Sequence, residues 1–420
     1  MEQERQSMTS ISRKTRRIVG SLILFKATYI VLLSAALLSW PTFKRDDIFH
    51  SAWANWTPEG YLTFGSHFGT WDAEHYLFLS REGYKSGLGV CAFYPLYPLL
   101  IRWVSAATGG HDILTGMVVA NLFSSAAFLL FFRMVARRYG EKVALLALAL
   151  LLAFPGSLFY QFIYTESLFL LLLILFCFAL EREHRPLALV TGFLLPLTRA
   201  VGIFCVFPLL WLMFFRSPPA WLVALANRKT WAGRIARFVG PRVGDSPVLS
   251  SARWRGAGAV WLVLAPLMGW AAYFLLMQKW TGNAFEGIEA QKKFGVQSIH
   301  HLFDPVGFVT QLFNPTQWHG FRGSVLDRCG FILVIYCLPL IWKLDKSWCL
   351  WAFFLGVVPA VSGGFASYTR FASVVFPLFV ALAVFLSKPG RRWTCWLVLT
   401  TFVTLHLILV WRFVNYRWAG

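Results

Sequence analysis

Apolar stretches recur along this 420-residue chain, each closed by charge, proline or glycine. A run of about 20 such residues is what a helix needs to cross hydrocarbon. The pattern predicts helices at roughly 18–40, 112–132, 143–162, 165–181, 186–197, 200–215, 256–277, 325–342, 348–365, 371–387 and 393–411. The chain therefore reads as an all-α polytopic membrane protein with about 11 spans. A cytoplasmic segment, 1–17, precedes one transmembrane domain, 18–411, and a tail, 412–420, follows it. Between the spans lie long polar connections at 41–111, 216–255 and 278–324. The positive N-terminal segment leads into an apolar run long enough to stay as a helix, so no cleavable signal is expected.

Composition supports this reading. Hydrophobic residues make up 57% and charged residues 14%, with mean hydropathy +0.59, and a soluble fold with that balance needs a larger core than single domains build. The net charge of +20 raises the question of nucleic acid, but the basic residues collect in alternate connections. Arg13, Lys14, Arg16 and Arg17 precede the first span, Arg133, Arg137, Arg138 and Lys142 follow the second, and Arg228, Lys229, Arg234, Arg237 and Arg242 lie in 216–255. The positive-inside rule makes these connections cytoplasmic and the charge an orientation signal. Loop 216–255, with Trp221, Trp231 and Trp254, has the composition of a segment lying against lipid headgroups and holds no nucleic-acid module. The seven cysteines show no CxxC pair and the histidines no HExxH, so neither metal nor other cofactor is expected.

With that orientation, several polar residues share the other face. The 41–111 loop carries Asp72, Glu74, His75, Arg81 and Glu82; 278–324 carries Glu286, Glu289, Gln291, Lys292 and Lys293. Short turns add Tyr164 and Glu166, then Arg199, then Arg370. Each has a plain alternative. Asp72 and Glu166 are placed to cap or complement helix N-termini, and the arginines are placed either to snorkel to headgroups or to contact a lipid phosphate. The proline-broken run from Ala92 to Thr108 reads as an interfacial helix starting at Pro98, and Asn55-Trp56-Thr57 is a glycosylation sequon.

The stretch Trp71-Asp72-Ala73-Glu74-His75-Tyr76-Leu77, then Arg81-Glu82-Gly83-Tyr84 and Ala92-Phe93-Tyr94-Pro95-Leu96-Tyr97-Pro98, resembles the first-loop signature of the PIG-V family of mannosyltransferases. Phe154-Pro155-Gly156-Ser157-Leu158-Phe159, Tyr164-Thr165-Glu166-Ser167-Leu168-Phe169, Leu197-Thr198-Arg199-Ala200-Val201-Gly202, Tyr368-Thr369-Arg370-Phe371 and Phe376-Pro377-Leu378-Phe379 resemble its later motifs, in order. Ala200-Val201 stands where that family usually has Ser-Asn, and Gly282-Asn283-Ala284-Phe285 matches only loosely.

The resemblance implies a GT-C-like bundle with catalytic loops outside the cytoplasm. It implies an inverting glycosyltransferase, a mannosyltransferase, that moves sugar from a polyprenyl or dolichyl phosphate to a glycolipid or GPI-type acceptor. A sugar phosphate already has a good leaving group, so what is needed is a base for the acceptor. Asp72 is the candidate, with Glu74 or His75 orienting it. Arg199 and Arg370 would hold the lipid phosphate, and Glu166, Tyr164, Gln291, Lys292, Tyr94 and Arg81 complete the candidate substrate-binding set. The expected partners are that donor, that acceptor, membrane lipids and an accessory membrane subunit. The implied location is the endoplasmic reticulum membrane in a eukaryote and the plasma (inner) membrane in a bacterium. Proline-containing helices and intramembrane arginines also serve transport, so a lipid-linked sugar transporter or flippase and a non-catalytic assembly subunit are the alternatives.

Overall fold

The computed structural model describes residues 2–39, 64–216, 230–231, 257–294, 299–321 and 323–420. Residues 40–63 of the first loop, with the Asn55 sequon, and most of the basic 216–255 loop lie outside the described residues. Every element among the described residues is helical, apart from one isolated bridge between Gln317 and Ser324.

Six of these helices are long and apolar enough to cross a bilayer. They are Arg16–Ser39 within α1 (Glu2–Ser39), α4 (Asp112–Tyr139), Val260–Thr281 within α9 (Ala257–Thr281), α12 (Val325–Leu344), the continuous Lys346–Gly363, and α17 (Arg392–Val414). Lys346–Gly363 comprises α13 (Lys346–Ala352), one π-helical turn and α14 (Val358–Gly363).

The other expected spans are shorter or broken, so six helices rather than eleven reach spanning length among the described residues. The stretch expected at 143–162 divides into α5 (Glu141–Ala153) and a 3-10 segment, Pro155–Tyr160. A 13-residue helix reaches only about 20 Å. Pro155 lacks the N–H that would continue the ladder, so the helix stops before it. Likewise 200–215 opens as a 3-10 segment, Ala200–Cys205, before α8 (Val206–Arg216), and 371–387 divides into α15 (Tyr368–Ser373) and α16 (Phe376–Leu386). Two expected spans match whole helices, α6 (Glu166–Glu181) and α7 (Arg185–Thr198). The helix expected in the first loop is α3 (Leu96–Ala107), which begins two residues before Pro98.

Non-helical backbone at membrane depth persists only where protein groups satisfy it. The linker Phe154–Thr165 obeys this rule, with donors from α1, α4 and α17. Lys26 Nζ donates to Gln161 Oε1 (2.9 Å), Ser124 Oγ (2.8 Å) and Asn121 Oδ1 (2.9 Å), and lies 3.4 Å from the Tyr160 carbonyl oxygen. Ser124 Oγ donates to the same carbonyl (2.9 Å) and Asn121 Nδ2 to that of Gln161 (2.9 Å). His406 Nδ1 pairs with the Phe154 carbonyl at 3.0 Å. The lysine, asparagine and histidine inside these apolar helices are thus ties to a broken segment.

Long-range ion pairs define two ends of the bundle. At one, Arg138 near the end of α4 pairs with Glu181, the last residue of α6, and with Asp345 at 2.9 Å, while stacking 4.3 Å above the Trp348 ring. Asp345 caps α13 by accepting from the backbone N–H groups of Ser347 and Trp348. At the other end, α6 begins at Glu166 and α7 finishes beside Arg199.

Candidate active site

Asp72 opens the short helix α2 (Asp72–Glu82), with Trp71 at its N-cap position. This corrects the capping expectation: Asp72 lies inside the first turn, and its carboxylate leaves the helix to pair with Arg370. Trp71 holds φ 59°, a left-handed value that costs a bulky residue roughly 1–3 kcal/mol. Residues 413–418 brace it. The Trp71 indole N–H donates to the Arg417 carbonyl (3.2 Å), and its ring meets Trp418 edge-on at 5.1 Å. Thr70 Oγ1 donates to the Phe413 carbonyl (3.1 Å), and the Tyr164 hydroxyl donates to the Thr70 carbonyl (3.0 Å).

Glu166 begins α6, with Thr165 at the N-cap. It is fully buried and does not cap; it accepts from two arginines. Arg199, extended at the end of α7, reaches Glu166 Oε1 and Thr165 Oγ1 (3.3 Å) through Nη1. Arg370, in α15, directs Nε to Glu166 Oε1 and Nη1 to Asp72 Oδ2. Its guanidinium also stacks 4.6 Å from the Tyr164 ring and 5.3 Å from that of Phe159. The formal charges of two arginines and two carboxylates cancel, which is how such groups are held out of water at tolerable cost. The side chain of Asp72 is 27% exposed, against 8% for Arg370, 10% for Arg199 and none for Glu166. Asp72 is therefore the member of the network open to an incoming molecule.

Two motif glycines make this geometry possible. A Cβ at Gly156 would lie 2.0 Å from the Thr369 carbonyl oxygen, so only glycine lets the 3-10 segment touch the backbone that carries Arg370. A Cβ at Gly202 would lie 2.4 Å from the Leu195 carbonyl, at the turn that delivers Arg199.

The other candidates are spread around this centre. Glu74 and His75 are buried in the first turns of α2. His75 stacks on Phe93 at 4.6 Å, and burial pushes its imidazole below the usual range against the opposing pull of Asp72, favouring the neutral form. Tyr94 stacks on Tyr273 at 4.6 Å. Arg81 pairs with Asp112, which also accepts from Ser105 Oγ at 2.6 Å. Gln291 is half-buried and Lys292 exposed on α10 (Glu286–Phe294), a helix packed on the 3-10 segment Gly89–Ala92. The fold thus brings Asp72, Glu166, Arg199, Arg370 and Tyr164 to one place. Among the described contacts, none joins Arg81, Tyr94, Gln291 or Lys292 to their network. Arg199 and Arg370 are buried and paired with carboxylates. No cluster of three or more His, Cys, Asp or Glu able to hold a metal occurs among the described residues.

Sequence reading missed two groups. One is the bracing stretch 413–418, which reads as a tail because nothing in its pattern shows what it touches. The other is Asp327, buried beside Thr369. Its only signal was Ser324-Val325-Leu326-Asp327, a capping pattern that announces a helix start and no distant partner.

No family model matches this chain, and no curated protein is similar to it at a significant level. Among solved structures, it is similar to the archaeal oligosaccharyltransferase AglB from Archaeoglobus fulgidus in complex with an inhibitory peptide and a dolichol-phosphate. That likeness has 13% identity and a TM-score of 0.44, over 96% of this chain and 56% of that one. It is also similar to the Archaeoglobus fulgidus oligosaccharyltransferase in complex with Zn and sulfate, at 13% identity and a TM-score of 0.45, over 94% and 53%. The chain spans about half the length of these structures.

Proposed function

We propose that this chain is an inverting glycosyltransferase that moves a hexose, mannose by its motif resemblance, from a polyprenyl or dolichyl phosphate to a glycolipid acceptor. The observation that carries the reading is the single guanidinium of Arg370 shared between half-buried Asp72 and fully buried Glu166, with Arg199 on the same Glu166. Residues from four separate motifs meet there, at one end of a membrane bundle.

The chemistry follows from charge. The acceptor hydroxyl oxygen attacks the anomeric carbon from the side opposite the phosphate, and its proton passes to the Asp72 carboxylate. The bond from the anomeric carbon to the phosphate oxygen breaks with its electron pair, so a phosphodiester carrying one charge leaves as a phosphomonoester carrying more. Arg370 and Arg199 are the cations positioned to stabilise that added charge. Glu166 keeps them fixed before the donor arrives, so little reorganisation is needed at the moment of reaction.

GPI-type acceptor chemistry, and location in the endoplasmic reticulum or inner membrane, belong to the same proposal and rest on the motifs. The test is purified protein in liposomes with polyprenyl-phosphate mannose and a glycolipid acceptor. Mannosylated acceptor with inverted anomeric configuration supports the reading. Movement of the donor across the bilayer without transfer makes the chain a flippase, and neither activity makes it an assembly subunit.

A further inference from the structure

Arg370 is delivered by an unusual piece of backbone. Between α14 and α15 the chain reverses through Gly364 (φ 57°), Phe365 (φ 67°) and Ser367 (φ 57°), three left-handed residues in four, two of them with side chains. Non-glycine residues hold such values only where surrounding structure over-determines them. Here the first turn of α12 does so, with two consecutive residues.

Asp327 is fully buried, and its Oδ1 accepts from the Thr369 backbone N–H (2.6 Å) and the Thr369 hydroxyl (2.5 Å), both on the residue before Arg370. Its own N–H is fixed by Ser324 Oγ at 3.2 Å, and Ser324 Oγ lies 3.1 Å from Nδ1 of buried His319. Arg328 stacks 5.0 Å from the Phe365 ring and anchors itself on the Ser324 carbonyl at 2.7 Å. Phe365 is enclosed by Phe308, Phe331 and Tyr368. Gly156 presses on the Thr369 carbonyl. Thr369 is therefore held at its N–H and hydroxyl by Asp327 and approached at its carbonyl by Gly156. Asp327 itself makes no described contact with Asp72, Glu166 or Arg199.

We infer that Asp327 is a positioning residue for the transfer reaction, fixing through Thr369 the placement of the Arg370 guanidinium between Asp72 and Glu166. This rests on the reading of the site as a glycosyltransferase centre. A buried carboxylate used only to cap α12 has no need of Thr369, because Ser324 already caps that helix. The two short bonds to Thr369 are what a cap does not explain.

The predicted signature is epistasis. Asp327→Ala removes the acceptor and should lower kcat about 10- to 100-fold, the cost of displacing a catalytic group by a fraction of an ångström to 1 Å. Thr369→Val removes only the hydroxyl bond and should cost about 3- to 10-fold. Asp327→Asn keeps an acceptor oxygen and should stay within about threefold of wild type. In an Arg370→Gln background the Asp327→Ala loss should shrink to within about twofold, because the group being positioned is gone. A merely structural Asp327 gives losses that multiply in the double variant, and that result overturns the inference. Ser367→Gly, which relaxes the left-handed backbone, should restore part of the Asp327→Ala loss.

If the wild-type protein transfers no sugar, the same cycle read by thermal unfolding in detergent tests the inference without substrate. Non-additive shifts for Asp327→Ala and Arg370→Gln support it, and additive shifts overturn it. Should Asp327→Ala fail to fold, Thr369→Val carries both cycles, with the same non-additivity expected and the same additivity overturning it.

Discussion

Gly156→Ala adds one methyl group at the tightest contact near the site. The new carbon would fall 2.0 Å from the Thr369 carbonyl oxygen and 2.8 Å from its carbonyl carbon. Non-bonded heavy atoms need roughly 3.5 Å, so one of the two backbones must retreat by more than about 1 Å. Neither is free to do so. The end of the 3-10 segment is tied at Tyr160 by Ser124 and Lys26 and just beyond it at Gln161 by Asn121 and Lys26, and Thr369 is tied by Asp327. The clash should cost about 1–3 kcal/mol of stability, the usual range for an over-packed interior. A shift of that size at the residue before Arg370 should lower turnover about 100-fold. Gly20, in α1, has nothing within 4 Å of the position its Cβ would take, so Gly20→Ala is the control and should leave turnover unchanged. The assay is sugar transfer by purified protein, with the unfolding temperature measured on the same samples. Wild-type turnover and unfolding temperature for Gly156→Ala would refute the claim that this contact sets the position of Arg370.

Other expectations follow from the same geometry. Glu166→Gln leaves two buried guanidinium groups facing one carboxylate, so it should destabilise the protein by about 3–5 kcal/mol, read by denaturant unfolding in micelles; a change under about 1 kcal/mol would contradict the network. Arg199→Lys and Arg370→Lys should each weaken apparent donor affinity roughly tenfold, since lysine lacks the forked donor, while Arg234→Lys should change nothing; unchanged donor affinity in both would move the phosphate site elsewhere. A cysteine at exposed Ala107 should be labelled from outside the cytoplasm and one at exposed Lys388 only from within; labelling of both from one side would overturn the assigned orientation.

Hydrophobic pattern alone locates α1, α4, α9, α12 and α17, because each buries or exposes one uninterrupted apolar length. It fails at Phe154–Thr165. There Pro155 sits among residues apolar enough to read as a span, and the donors that stabilise the break come from Lys26, Asn121 and Ser124 in other helices. The ion network is a similar case. Asp72 and Arg370 are 298 positions apart, and no local period connects them. Short motifs and a shared membrane face are the sequence features that point to both. Only motif or loop membership points to Arg81, Tyr94, Gln291 and Lys292; in the fold Arg81 pairs with Asp112, Tyr94 stacks on Tyr273, Lys292 is exposed and Gln291 half-buried. The local pattern at Asp327 is that of a helix start, while its decisive bonds cross 42 positions to Thr369.

Asp72→Asn tests transfer of the acceptor proton to the Asp72 carboxylate with the smallest change in shape. Asparagine retains an oxygen toward Arg370 but is no base at neutral pH. At matched abundance of folded protein, transfer from polyprenyl-phosphate mannose should fall about 10²- to 10⁴-fold. Wild-type transfer by Asp72→Asn would contradict the account.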